Sequence, residues 1–244
     1  MLTQEENVKL STMTVCIAAL ADEGRSVVYC ADKMSTSPGL FMQVDRPDIE
    51  KIINVTDNCV VLFAGAFGYI DEVLKSAQKE INKEKHGGIL EVEKVADCFR
   101  DIFKKVREQW VEKSVLEPKG LKFSDYISHY KDIPDALIYE INNNVTNFNL
   151  DAMFLVVGYN SDGKCHIYKV YNPGLSYCYD TEGSSSIGNA AIVADYSILK
   201  SGYLKTKTTE EVKKILLEAK KISEHMPGIG ALTSDGEIKK PKAV

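Results

Sequence analysis

Residues Ser11-Thr12-Met13-Thr14-Val15-Cys16-Ile17 hold two threonines either of which can become a chain end. A terminal threonine carries nucleophile and base together. Its hydroxyl attacks a carbonyl while its own α-amine, with an ordinary pKa of about 7.7 to 8.0, takes the proton. An internal threonine has no such amine. Cleavage after Ser11 exposes Thr12, whereas translation from Met13 followed by methionine removal exposes Thr14. On an extended strand the two lie on one face, about 6.8 Å apart, so only one of them fits a given partner. The same heptapeptide also reads as a plain strand of β-branched residues, and the rest of the chain has to weigh against that reading.

The elements that would position such a terminus follow from the apolar pattern. Residues 1–11 are polar and without periodicity, which predicts a leader outside the fold. Segments 12–20 and 26–33 are short and β-branched, joined by Asp22-Glu23-Gly24, and predict an antiparallel hairpin. Segments 51–55 and 59–63 predict a second pair, whose near-continuous apolar runs imply a sheet covered on both faces. Two amphipathic helices follow, one carrying Ile70, Val73, Leu74, Ala77 and Ile81 on a stripe, the other Val92, Val95, Ala96, Phe99, Phe103, Val106 and Trp110, with His86-Gly87-Gly88 as the break. Residues 116–149, punctuated by Pro118, Gly120 and Pro134, read as an excursion with two short helical pieces. Strands resume at 152–159, 165–171 and 175–179, and helices at about 190–202 and 209–225. The last helix opens on a capping box, Thr208 with Glu211, and carries a stripe of Val212, Ile215, Leu216, Ala219 and Ile222. Strands, two helices, strands, two helices is not the alternation of a parallel sheet. It predicts an α+β fold, a four-layer αββα sandwich of two antiparallel sheets with helices outside each, forming one domain over 12–244 with an insertion at about 116–149.

These residues and their order resemble the proteasome β-type subunits, members of the N-terminal-nucleophile hydrolases that include the bacterial HslV peptidase. The family opening, Thr-x-x-Val-x-Val/Ile, is met by Thr12-Met13-Thr14-Val15-Cys16-Ile17, which puts Thr12 on the nucleophile and leaves Thr14 as the alternative. The family's acidic residue after the second strand is met in Cys30-Ala31-Asp32, its lysine in Glu50-Lys51-Ile52, and its Ala-Gly before the first helix in Ala64-Gly65. The resemblance extends over about residues 12–236, with Val157-Gly158-Tyr159 and Ile187-Gly188-Asn189 as later landmarks. It implies that Lys51 keeps the terminal amine neutral by like-charge repulsion, that Asp32 holds Lys51, and that the Gly65 N–H meets the oxyanion. Three departures stand out. Asn189 occupies the place of a family serine, with Ser184 to Ser186 just upstream; Ser223-Glu224-His225-Met226 replaces the family's Asp-x-x-Ser; and Ser11 replaces the glycine before the nucleophile.

Composition narrows the rest. With 244 residues, 44% hydrophobic, 27% charged and a net charge of -5, the chain reads as a globular protein with no basic block for nucleic acid. It has no apolar run long enough for a signal peptide or a membrane span, which predicts a cytoplasmic location without membrane association. Cysteines 16, 30, 59, 98, 165 and 178 lack metal-binding spacing and read as small buried hydrophobes. His86, His129, His166 and His225 read as surface or cap residues, so no metal and no cofactor is expected. The Asn54 and Asn144 triplets match a glycosylation pattern without the secretory context that would give it meaning.

Three functions are compatible with these residues. The leading one is a threonine-type hydrolase cleaving peptide bonds through an acyl-enzyme, with polypeptide substrates. Assembly into a ring-like homo-oligomer, with room for an ATPase partner, is implied by the resemblance. The others are a catalytically silent assembly subunit of the same fold and an amidase acting on small amides.

Overall fold

Small and β-branched apolar residues dominate the first two strands, and such residues suit a sheet covered on both faces. The computed structural model describes residues 14–37, 42–84 and 88–241. In chain order the strands and helices of the first half are β1 (Cys16–Ala21), β2 (Ser26–Asp32), β3 (Met34–Ser37), β4 (Met42–Asp45), β5 (Ile52–Thr56), β6 (Cys59–Gly65), α1 (Phe67–Glu84), α2 (Val92–Val111), α3 (Phe123–Ser128) and α4 (Asp135–Asn147). The second half holds β7 (Ala152–Tyr159), β8 (Cys165–Tyr171), β9 (Leu175–Cys178), β10 (Ser184–Ile187), α5 (Ala191–Lys200), α6 (Thr209–Ser223) and β11 (Thr233–Lys239).

The chain is a mixed α and β protein whose sheets are antiparallel. One sheet has the order β10-β1-β2-β11, another β5-β6-β7-β8-β9, and β3 pairs with β4 as a separate hairpin. Period-2 alternation along β1 divides its side chains between two cores. Cys16, Ala18 and Leu20 meet Val60, Leu62, Leu155, Val157 and Ile167 between the two larger sheets. Val15, Ile17 and Ala19 point the other way, against Ala194 and Ile198 of α5 and Val212, Leu216 and Ala219 of α6. On the far side of the five-stranded sheet, Val61, Phe63, Phe154 and Val156 pack on Val73 and Ala77 of α1 and Phe99 and Phe103 of α2. Each large sheet therefore has one face on the other sheet and one face under a helix pair.

The hairpin between β1 and β2 turns through Glu23 at φ 62° and Gly24 at φ 82°, with Cys16 opposite Ala31. The capping box on α6 is present, the Thr208 N–H donating to Glu211 Oε2 at 2.9 Å. The excursion holds α3 and α4 and follows a π-helical turn at Glu112–Leu116 that continues α2, and Leu116 and Ile141 form a small core there with Val111 and Val115 of the preceding turns. Arg107 ties its end down, donating to the carbonyls of Val145 at 2.7 Å and Phe148 at 3.1 Å.

Four strands are additional to those expected: β3, β4, β10 and β11. All are polar. β10 is Ser-Ser-Ser-Ile, yet Ser185 and Ser186 are buried because the strand pairs directly with β1. The stripe expected on α6 also shifts. Ile222 is 38% exposed, while Lys220 and Ser223 are buried on the face with Val212, Leu216 and Ala219. Residues 12 and 13, the expected leader at 1–11, and His86 and Gly87 of the inter-helix break lie outside the described residues.

Candidate active site

Antiparallel pairing of β1 with β2 brings the start of one strand beside the end of the other, so Thr14 and Val15 arrive next to Asp32. Asp32 has 0% exposure, and its carboxylate is satisfied from several sides. Oδ1 accepts the Val15 N–H at 2.9 Å, Oδ2 accepts the Met34 N–H at 3.0 Å, and the Gly230 N–H approaches Oδ2 at 3.5 Å. Lys51, at the entry to β5, reaches into the same place and is 7% exposed. Its Nζ lies 3.0 Å from both Asp32 oxygens and donates to Thr14 Oγ1 at 2.7 Å. An ammonium has three donors and no acceptor, and all three are spent on these two residues.

Two glycines shape the rim. Gly188, directly after β10, has φ +95°, and an added Cβ would lie 2.0 Å from the Thr14 carbonyl oxygen. Only glycine lets that backbone approach so closely. Gly65 ends β6 at φ +127°, with the Asp151 carbonyl oxygen 2.1 Å from where a Cβ would stand, and the Ala66 N–H donates to that carbonyl at 2.7 Å. The end of β6 is tied to the site through Phe63, whose N–H donates to Lys51 O at 3.1 Å and whose carbonyl accepts from Cys16 Sγ at 3.3 Å. Burial pushes the Cys16 thiol far up, against the pull of nearby Lys51, so it stays a neutral thiol beneath the cluster.

Of the residues singled out by sequence, Asp32, Lys51 and Thr14 are joined by direct hydrogen bonds. Thr12 lies outside the described residues. Gly65 sits at the strand end next to α1, and Asn189 follows Gly188 as an exposed residue before α5. Ser223 is buried and donates to Ala219 O at 2.8 Å within its own helix, and Glu224 accepts from Lys220 Nζ at 2.7 Å. The sequence reading missed the Met34 and Gly230 amides, which as backbone donors leave no mark on residue type. It also missed Lys220, whose signal was a charged residue at helical spacing from Leu216 and Ser223.

Two expectations about single residues need correction. His166 is neither a cap nor a surface residue: its Nδ1 pairs with Asp180 Oδ2 at 2.6 Å, and its side chain is 19% exposed. The hydrogen bond to Asp180 raises the His166 pKa against the opposing effect of burial. Cys178 is exposed and Cys98 half-buried, whereas Cys16, Cys30, Cys59 and Cys165 are buried. Among the described residues no three His, Cys, Asp or Glu side chains gather as a metal site, and no helix is long and apolar enough to cross a membrane.

No family model matches the chain, and no curated protein sequence matches it. The functional reading therefore rests on the residues and their geometry.

Proposed function

We propose that the chain is a threonine-type N-terminal-nucleophile hydrolase that cleaves peptide bonds, with Thr14 as its nucleophile once the residues through Met13 are removed. The observation that carries this reading is the 2.7 Å hydrogen bond from Lys51 Nζ to Thr14 Oγ1, with Lys51 held by the buried Asp32. Thr12 and Thr14 cannot both occupy that place, since they are separated by about 6.8 Å along a strand. The layering of helices, sheet, sheet and helices is what the αββα sandwich of this hydrolase class requires, and supports the reading further.

In this mechanism the freed α-amine of Thr14 takes the Oγ1 proton as Oγ1 attacks the substrate carbonyl. The Lys51 ammonium donates to Oγ1 and stabilises the negative charge that develops there. It also disfavours protonation of the neighbouring amine, keeping it a base near neutral pH. Asp32 holds Lys51 charged and aimed. The Gly65 N–H is assigned to the oxyanion, a contribution of about 3 to 4 kcal/mol in comparable sites. Asn189, beside the Gly188 contact with Thr14, is assigned to hydrogen bonding near the amine. The amine returns the proton to the leaving nitrogen, the C–N bond breaks, and water attacks the acyl-enzyme to regenerate Thr14.

We infer polypeptide substrates, a cytoplasmic location and a ring-like homo-oligomer, with an ATPase partner compatible with that assembly. Ile192, Tyr196 and Leu199 of α5 are 77%, 60% and 78% exposed at helical spacing, which supports an assembly face there. A catalytically silent assembly subunit is the second reading, favoured by the engagement of Ser223 and Glu224 away from Thr14. Turnover of fluorogenic peptides by protein starting at Thr14, lost in Thr14→Ala, supports the hydrolase. Cleavage of small acyl-amides with peptides left intact makes it an amidase, and no turnover of either supports the silent subunit.

A further inference from the structure

Lys220 is 1% exposed on the inner face of α6 and takes no part in the proposed attack, acylation or hydrolysis. Its ammonium is fully satisfied. It donates to Glu224 Oε1 at 2.7 Å, to Gly230 O at 2.6 Å and to Ala231 O at 2.9 Å. Burying an ammonium costs several kcal/mol after relaxation, and an apolar side chain would fill the same volume without that cost. The charge therefore has to be explained by what it grips.

The carbonyl of Gly230 and the N–H of Ala231 belong to one peptide unit. Lys220 takes its oxygen, and Asp45 Oδ2 takes its N–H at 3.1 Å. One residue back, the Gly230 N–H approaches Asp32 Oδ2 at 3.5 Å. One residue on, the Leu232 carbonyl accepts the Lys33 N–H at 3.0 Å, and β11 then begins with Thr233 opposite Asp32. The fit is close. A Cβ on Gly230 would lie 1.9 Å from Asp45 Oδ1 and 2.9 Å from Met34 Cβ, so this backbone lies hard against the two residues that pair at the open end of the β3–β4 hairpin.

We propose that Lys220 is a positioning residue for the Thr14 site: with Glu224 it clamps Gly230, whose N–H faces Asp32, and so fixes the carboxylate that holds Lys51 on Thr14. The proposal rests on the Thr14 reading for its catalytic consequence, while the clamp itself is a property of the fold. The path runs from the ammonium to the Gly230 carbonyl, across the Gly230 Cα to its N–H and the Asp32 carboxylate, and from there through Lys51 to the hydroxyl. A lysine that merely filled the core of α6 would stabilise all of β2 alike. A clamp acts selectively on the amides that share Asp32.

The test is amide hydrogen exchange on the full chain, comparing Lys220→Met with Val212→Ala, a core truncation on the same helix. The clamp predicts that Val15 and Met34, both donors to Asp32, exchange about tenfold faster relative to Cys30 in Lys220→Met, and show no such selectivity in Val212→Ala. Equal acceleration at all three amides, or the same pattern in both variants, overturns it. If Lys220→Met does not fold, Glu224→Gln decides: it keeps an acceptor for Lys220 while removing the charge. Selective exchange at Val15 and Met34 supports the clamp there, and uniform exchange refutes it. On chains of the same variants that begin at Thr14, the rate of Thr14 labelling by an epoxyketone should fall about tenfold at saturating probe in Lys220→Met, with the half-saturating concentration unchanged. A wild-type chain that begins at Thr14 and takes no label refutes the hydrolase reading, and the exchange result still decides the clamp.

Discussion

Lys51 and Lys220 are two buried ammonium groups built to the same count and put to different use. Each spends three donors, and each has one carboxylate partner, Asp32 for Lys51 and Glu224 for Lys220. They differ in what else they touch. Lys51 meets a side-chain hydroxyl, Thr14 Oγ1, whereas Lys220 meets the backbone carbonyls of Gly230 and Ala231. A hydroxyl can lose a proton and attack; a carbonyl held by an ammonium can only be held. Burial of a charge thus says little about function until its partners are named. The carboxylates differ too: Asp32 is fully buried, while the Glu224 side chain is 29% exposed and keeps water as an alternative partner.

That difference orders the expected effects. Lys51→Met leaves Asp32 buried without its counter-ion, and urea unfolding should show a loss of about 3 to 5 kcal/mol together with complete loss of Thr14 labelling. Lys220→Met strands two carbonyls but lets Glu224 reach solvent, so the loss should be smaller, about 2 to 3 kcal/mol, with labelling reduced rather than abolished. Equal losses of stability and labelling in the two variants would break the comparison.

Glycines allow the same contrast between the site and the rest of the chain. Gly188→Ala puts a Cβ 2.0 Å from the Thr14 carbonyl at φ +95°. Because backbone must move to relieve the clash, the cost should be about 3 kcal/mol, with Thr14 labelling lost. Gly120→Ala, at φ +73° with open space around the added atom, should cost only about 1 kcal/mol and leave labelling intact. Thermal or urea unfolding of both variants checks the ranking.

The smallest effect belongs to His166 and Asp180, a charged pair away from Thr14. The hydrogen bond with Asp180 raises the His166 pKa, so its contribution is full below the unfolded value of about 6.5 and is lost as pH rises through the folded value. For Asp180 burial acts upward, but the His166 hydrogen bond and the Ile167 N–H bring the net shift downward. Its contribution is present above about 3.9 and lost as pH falls through the folded value. The pair should therefore add about 1 kcal/mol near pH 5 to 6, and His166→Gln should erase that difference while matching the wild type once pH has risen past the folded His166 value. A pH-independent effect of His166→Gln would show that packing, not charge, is its role.

What could be read from the sequence follows the physics of each element. β1, β2, β6 and β7 carry apolar runs because both of their faces are covered, and α1 and α2 carry clean stripes because one face is. β11 was silent because it is an edge strand, Thr-Ser-Asp-Gly-Glu-Ile-Lys, of which only Ile238 packs on the inter-sheet core. β10 was silent because serine is an ambiguous letter, polar by type yet buried here by its pairing with β1. Asp32 and Lys51 stand out only through the resemblance of Cys30-Ala31-Asp32 and Glu50-Lys51-Ile52 to the family's motifs. The register of Thr12 against Thr14 could not, since the two share a strand face and differ only in which one a lysine from another strand can reach. On α6, spacing puts Ile222 on the apolar stripe and passes over Lys220, because periodicity weighs side chains by polarity and does not see the carbonyls that satisfy an ammonium.

The claim that Thr14 is the working residue is tested most directly by the intact mass and amino-terminal sequence of the natively produced protein, followed by epoxyketone labelling of the same sample. The account predicts a chain beginning at Thr14 and one label per chain, absent in Lys51→Ala. A chain that retains Met13, or one that begins at Thr12 and takes its label there, would contradict it.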